Sequence, residues 1–255
     1  MAEDRVVLLT CEAGYGQISA RALAAAFPSL AVIVEEPVSR LALLRRRMRR
    51  LGIVRVFGQL VFMAWLRIQA RLAQVRIAEI KRKIGPQGEW PSGVELVHVS
   101  SVNAPECIDA LRRLTPVVVL VVGTRLIEPA VLGCIDAPFI NYHAGITPKY
   151  RGVHGGYWAL AEGDAAHCGV TVHLVDTGID TGAVLYQDNI APTRADNFST
   201  YSYLQLAAAL PLLERSARDA IERKLAPRRV ELPSHLWYHP TIWRYVATGL
   251  RRGVW

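Results

Sequence analysis

The chain has 255 residues, 51% of them hydrophobic and 20% charged, which excludes a disordered or fibrous polypeptide and leaves room for one large α/β core. No repeat of period about 20–50 runs through it, which removes solenoids and propellers. The net charge is +8, but the stretch from Arg40 to Lys83 holds 13 basic residues against the single acid Glu79, so it carries +12 and the remainder −4; that suits one anionic partner surface rather than general basicity.

The N-terminus, Met1-Ala2-Glu3-Asp4-Arg5, is acidic where a signal peptide is basic, so no export is expected and the protein reads as cytoplasmic. Residues 5–10 (RVVLLT) suit a buried parallel strand. A glycine-containing turn, 11–17, leads to a helix over 18–27 and a second strand over 30–35. Strand, glycine turn, helix, strand is a βαβ unit and implies a parallel sheet. Residues 39–84 interrupt the alternation as an Arg-rich helical insert, with a break expected at Gly52. Strand 94–99, helix 104–114, strand 117–122, a turn at Gly123 and strand 138–143 follow. A helix is expected from His154 to Glu162, then strands 168–175 and 183–190, then a helix over 197–224 that Pro211 bends or breaks. The expected fold class is α/β: a doubly wound, mostly parallel, Rossmann-like sheet over residues 1–226, with the helical insert and a C-terminal extension, 227–255, rich in Trp, Tyr and Pro. Cys11, Cys107, Cys134 and Cys168 are far apart, with no metal-binding spacing, and are expected to be reduced, buried thiols.

Ligands of open α/β sheets bind beyond the carboxyl ends of the strands. Asn141 and His143 end one strand, in FINYHAGITPKYRG, and their i, i+2 spacing puts both on one face. Asp180 lies in the glycine-flanked loop VDTGIDTGAV. An amide donor, an imidazole and a carboxylate at one sheet edge suit stabilisation of an oxyanion and movement of a proton. Taken singly, each also fits a structural role: a hydrogen-bonded strand-end histidine, or an aspartate forming its own turn.

Together, Asn141-x-His143, Pro148-Lys149-Tyr150-Arg151-Gly152 and His173-x6-Asp180-Thr181-Gly182 resemble the formyltransferase family, whose members act on glycinamide ribonucleotide, methionyl-tRNA or nucleotide sugars with 10-formyltetrahydrofolate. The resemblance covers about residues 94–190, extends more weakly to the first strand and glycine turn, and is absent from 39–84 and 233–255. It implies that Asn141 and His143 stabilise the oxyanion of the attacked formyl group and that Asp180 assists proton transfer, with no metal. It implies a folate slot along Gly123, Thr124, Arg125, Leu126 and Ile127, and along Val175, Asp176 and Ile179 of the later loop. Ordinary core packing accounts equally for Leu126 and Ile127. The resemblance also implies that Gly14, Tyr15 and Gly16 lie where relatives bind phosphate, although a tight strand-to-helix turn explains the same residues. Asn103, His154 and Gly155 are acceptor-site candidates by position. After Ala226 only 29 residues remain, fewer than the domain-sized C-terminal barrel of methionyl-tRNA enzymes. The expected acceptor is therefore a small primary amine, such as an amino sugar, nucleotide sugar or amino-acid derivative, in phosphorylated or acidic form. A non-catalytic anion- or membrane-binding protein that kept the fold is the competing reading.

Residues 53–66 (IVRVFGQLVFMAWL) carry only Arg55 and Gln59 as polar side chains. That is shorter than the ~20 residues of a membrane span. Burial against the sheet or in a homodimer is expected, because Leu60–Leu66 is apolar on every side of a helix. Peripheral membrane contact through 39–84 is the alternative. Nucleic acid is not expected as a partner, since the segment has little aromatic interleaving.

Overall fold

The computed structural model describes residues 4–11, 14–37, 48–49, 51–85 and 88–255. Strands β1 (Val6–Cys11), β2 (Ala31–Glu35), β3 (Glu95–Val99), β4 (Val118–Val122) and β5 (Phe139–His143) pair in parallel in the order β3-β2-β1-β4-β5. Two antiparallel strands, β7 (Gly169–Leu174) and β8 (Val184–Asn189), extend the β5 edge to complete seven. A separate short pair joins β6 (Arg151–Gly152) to β9 (Leu236–Trp237).

The continuous apolar runs VVLLTC, AVIVE and VVLVV become central strands because both faces are covered. One face packs on α1 (Gly14–Ala26) and α7 (Phe198–Ile221), through Leu8, Leu23, Leu120, Leu206 and Leu213. The other face packs on α4 (Pro105–Leu114) and the short α5 (Pro129–Leu132), through Leu9, Ile33, Leu111 and Val131. A third core is aromatic: Phe62, Tyr157, Trp158, Phe198 and Tyr245 draw together α2 (Ile53–Leu72), α6 (Gly155–Ala161), α7 and α8 (Ile242–Arg252). The C-terminal extension thus supplies a strand, a helix and core aromatics. A further helix, α3 (Gln74–Ile84), is tied to the loop before α7 by a two-pronged ion pair, Arg76 Nε and Nη2 donating to Asp196 at 2.9 and 3.0 Å.

The doubly wound, mostly parallel sheet is the one expected, and several details differ. Helix α1 starts at Gly14, so the glycine turn is its first turn; a Cβ on Gly16 would sit 2.7 Å from both the Cys11 carbonyl and Thr10 Oγ1. Gly52, at φ 78°, precedes α2 as expected, but a second break falls at Ala73, which no residue type signals. Helix α7 runs unbroken through Pro211, which sits on its exposed side. Cys107 and Cys168 are buried, whereas Cys11 and Cys134 are only half-buried; all four thiols are free. The apolar run is not buried against the sheet: Leu60, Val61, Met63 and Trp65 are exposed, and Phe62 alone of Leu60–Trp65 sits in the core beside half-buried Leu66. Residues 38–47 and 50, including Arg45, Arg46 and Arg47, lie outside the described residues.

Phe62 packs its ring 4.9 Å from Phe198 and 5.0 Å from Tyr245, so it joins the insert to both α7 and the C-terminal extension. Phe62→Ala is expected to lower stability by about 3–5 kcal/mol in urea unfolding. A loss below about 1 kcal/mol would mean that the insert and extension do not share this core.

Candidate active site

Strand β5 ends with Asn141 and His143, and the antiparallel register sets Asn141 opposite His173 on β7. Asn141 Nδ2 lies 3.1 Å from His173 Nε2, and His173 Nδ1 lies 2.7 Å from the Leu174 carbonyl. A carbonyl only accepts, so Nδ1 carries the ring proton and Nε2 accepts from the amide. This orients Asn141 as a donor, and its second amide hydrogen remains for a ligand oxygen.

The loop after β7 returns Asp180 to the same place. Asp176 stiffens it, accepting from the Gly178 amide at 3.0 Å and from Thr181 Oγ1 at 2.7 Å. Arg151 donates to the Ile179 carbonyl at 2.9 Å, clamping the loop to β6. Asp180 itself takes a left-handed backbone, φ 51°, one that an aspartate tolerates better than most residues. Its Oδ2 accepts from the Gly152 amide at 2.8 Å and faces His143 Nδ1 at 3.3 Å, while Oδ1 stands 3.7 Å from His173 Nε2.

His143 is held from its other side by a 2.7 Å contact between Nε2 and the Tyr150 carbonyl, which assigns a proton to Nε2 and turns Nδ1 toward Asp180. A Cβ on Gly145 would meet that carbonyl at 2.4 Å and His143 Nε2 at 2.8 Å, so glycine is required there. Burial pushes the His143 imidazole below its ordinary value, against the opposing pull of the Asp180 charge and the Tyr150 carbonyl. Burial also works to raise Asp180, but the His143 and His173 rings and the Gly152 amide outweigh it and hold the carboxyl at about 2. The site therefore combines a fixed amide donor with a buried carboxylate–imidazole pair able to take a proton.

The other expected residues fall into two groups. Gly123, at φ 73°, opens the loop after β4, and Glu35 fixes that loop by accepting from the Arg125 and Val102 amides and pairing with Arg125 Nε at 2.6 Å. Thr124 Oγ1 is engaged by the Arg125 carbonyl. Asn103 contacts this same loop: it donates to the Leu126 carbonyl at 2.8 Å and accepts from the Glu128 amide at 2.9 Å. Ile127 is buried in the second core, with Val175 packed against it, whereas Leu126 is exposed. Glu35 escaped the sequence reading because a strand-end acid carries no motif.

In the second group, Tyr15 Oη lies 2.6 Å from Ser202 Oγ, and its ring meets that of Tyr203 at 5.0 Å with a 31° tilt. A cavity of about 440 Å³ is lined by Tyr15, Leu66, Ala144, His154, Phe198 and Tyr203, so it reaches the neighbour of His143. Gly14 and Gly16 lie in the same first turn of α1. Gly155 packs its backbone against Gly145 and the Ala144 carbonyl. His154, at φ 61°, has Nε2 2.9 Å from His239 Nδ1, and burial with the neighbouring ring pushes it down to about 3. A second cavity, about 400 Å³, opens beside Asp180 between Thr147, Asp176, Arg228 and Arg229. These two arginines were not foreseen; an Arg-Arg pair after a helix has no distinguishing pattern. Among the described residues, no group of three or more His, Cys, Asp or Glu side chains is placed to hold a metal ion.

Comparison with known proteins gives a consistent picture. The formyl transferase family model matches residues 70–205. The methionyl-tRNA formyltransferase of Halothermothrix orenii is 32% identical over 142 residues, covering 53% of this chain and 43% of that protein. The chain thus spans less than half the length of that curated relative. Glycinamide ribonucleotide transformylase 1 of Symbiobacterium toebii shares the fold with a TM-score of 0.58 at 16% identity, covering 91% of this chain and 96% of that one. An N-formyltransferase from Helicobacter canadensis, solved with folinic acid and dTDP-3-aminofucose, gives 0.55 at 13% identity, covering 91% and 70%.

Because Asp180 ionises at about 2 when folded and near 3.8 when exposed, its charge stabilises the fold above pH about 4 and loses that contribution as the pH falls through 2. Asp180→Asn is therefore expected to flatten the loss of stability between pH 4 and 2 in denaturant titrations. An unchanged slope would contradict the ion-paired carboxylate.

Proposed function

As the chain belongs to the formyl transferase family, we propose that it moves a formyl group from 10-formyltetrahydrofolate to the primary amine of a small acceptor in the cytoplasm. The observation that carries this reading is the meeting of Asn141, His143 and Asp180 at one sheet edge through His173, with His143 Nδ1 3.3 Å from Asp180 Oδ2. The folinic acid bound to the Helicobacter canadensis relative supports a reduced folate as donor.

The folate supplies an activated formyl carbon. Its pterin would lie against the backbone of 123–127 and of 174–180, both of which are held rigid by side chains that do no chemistry, Glu35 and Asn103 on one loop and Asp176 on the other. Rigid placement matters because a donor aimed in advance at the developing charge costs no reorganisation during reaction. Asn141 donates to the carbonyl oxygen as charge builds on it. The amine must shed a proton as its nitrogen bonds to carbon, and the Asp180–His143 pair takes it and returns it to the departing folate nitrogen. Burial keeps His143 below its ordinary value, which disfavours the charged oxyanion donor that the resemblance implies and suits the ring to accept a proton, with Asp180 stabilising the cation that forms. The acceptor would occupy the cavity between Tyr15, His154 and Phe198, which Ala144 next to His143 also lines.

Asn141→Ala, His143→Ala and Asp180→Ala are each expected to lower kcat by at least ~100-fold in assays of tetrahydrofolate release with a panel of amino sugars, nucleotide amino sugars and amino acids. Near-wild-type turnover in two of the three would refute the site. Binding of a non-reactive reduced folate, followed by equilibrium dialysis, should survive Asn141→Ala, because that amide acts mainly on charge developed during reaction. Failure of the wild-type protein to bind at about millimolar ligand, weaker than about −4 kcal/mol, would remove the folate.

A further inference from the structure

Helix α2 is turned inside out for a protein in water. Its side toward the body of the protein carries Val56, Gly58, Phe62 and both of its glutamines. Gln59 donates to the His239 carbonyl at 3.0 Å, and Gln69 joins Tyr245 Oη at 2.6 Å and Ser199 Oγ at 3.2 Å. The side away from the body carries the large apolar residues: Ile53 is 75% exposed, Phe57 62%, Ile68 51% and Leu72 77%. A helix packed on a soluble domain shows the reverse pattern, because exposing such side chains forfeits ~1.5–3 kcal/mol each.

Helix α8 continues the same surface. Its Trp243 ring lies on Gly58 of α2 so closely that a Cβ there would come within 2.1 Å of it. Beyond that contact α8 buries Tyr245 and Gly249 and presents Val246 and Leu250, the latter 76% exposed. Trp65, Trp243 and Tyr238 add amphipathic rings to this face. The contiguous patch exceeds scattered surface apolar residues and marks a contact site.

Charge selects the occupant. Arg67 and Arg71 are exposed on the patch side of α2, and Arg251 and Arg252 end α8. Neither helix contains an acid, and none occurs in residues 232–255. A second copy of the chain meeting this face by two-fold symmetry would set arginine rim against arginine rim, with no acids to offset them. An anionic lipid surface offers hydrocarbon for the patch and phosphates for the rim. Helix α2 has the length of a span, 20 residues, but its glutamines hold one side to the protein, so it lies along a bilayer and does not cross it.

We propose that the joint face of α2 and α8 docks this protein on an anionic membrane surface. Leu66, Arg67 and Ala70 of α2 also line the cavity beside His143, so the cavity lies next to the docked face. Resting on the formyl-transfer reading, this makes the acceptor an amine carried on an amphiphile at that surface rather than a freely soluble sugar.

Vesicle flotation of the intact protein tests the docking and needs no turnover. Wild type is expected to float with phosphatidylcholine vesicles containing phosphatidylglycerol and to stay at the bottom with phosphatidylcholine alone. Phe57→Asp/Leu60→Asp, placed on exposed positions and checked for an unchanged melting transition, should reduce the floated fraction at least ~10-fold. Arg67→Glu/Arg71→Glu should weaken it through charge alone, and it serves if the first variant fails to fold. No flotation with anionic vesicles, or equal flotation with neutral ones, would overturn the proposal. So would a wild-type dimer in sedimentation that Phe57→Asp/Leu60→Asp converts to monomer, since the face would then belong to a second copy. Binding of a non-reactive reduced folate by equilibrium dialysis without vesicles, read in parallel, separates loss of docking from failure of the formyl-transfer reading.

Discussion

The carboxylate of Asp180 is the point on which the site depends. It is a largely buried charge, and a buried charge persists only where several partners compensate it. Its Oδ2 joins the backbone of β6 to the side chain at the end of β5, through Gly152 and His143, and its Oδ1 faces His173 on β7. Three chain segments distant in sequence are thereby fixed at one sheet edge. The antiparallel addition of β7 to an otherwise parallel sheet makes this geometry available, because it places Asn141 directly opposite His173 and lets the following loop fold back over β5.

Around that centre the protein spends side chains on position rather than chemistry. Glu35 and Asn103 hold the loop after β4 through main-chain groups, and Asp176 holds the loop that carries Asp180. The Lys149–Gly152 segment acts mostly through its backbone: the Tyr150 carbonyl and the Gly152 amide touch the His143–Asp180 pair, and the Tyr150 hydroxyl is anchored by Asp164 at 2.8 Å.

Much of this could be read from residues alone, and the boundary is physical. Continuous β-branched runs located β1, β2 and β4, and the i, i+2 spacing with a later glycine-flanked aspartate located Asn141, His143 and Asp180. Backbone groups carry no residue signature, so the Tyr150 and Gly152 contacts were not legible. Position alone suggested Asn103, and only the structure shows its amide bonding the backbone of the loop after β4. Burial of the insert against the sheet failed for a different reason: an apolar run covering all sides of a helix implies burial, but only the structure shows which stripe faces the body. The glutamines took that stripe, leaving Phe57, Ile68 and Leu72 outside. Pro211 was expected to interrupt α7, yet an exposed proline ring leaves the packed side of the helix intact.

The aromatic third core links these two halves of the molecule. Phe198 touches Phe62 of the insert and His154 at the acceptor cavity, and Tyr245 of α8 lies beside both Phe62 and Tyr157. The proposed formyl transfer at Asn141, His143 and Asp180 has a direct test. Single-turnover mixing with [13C]formyl-labelled 10-formyltetrahydrofolate and amines, soluble and lipid-linked, followed by 13C NMR, tests it directly. The account predicts that the label leaves the folate and appears as a formamide on one acceptor class, and that it stays on the folate with His143→Ala/Asp180→Ala. Label released as free formate whatever amine is present, or transferred equally by the double variant, would contradict it.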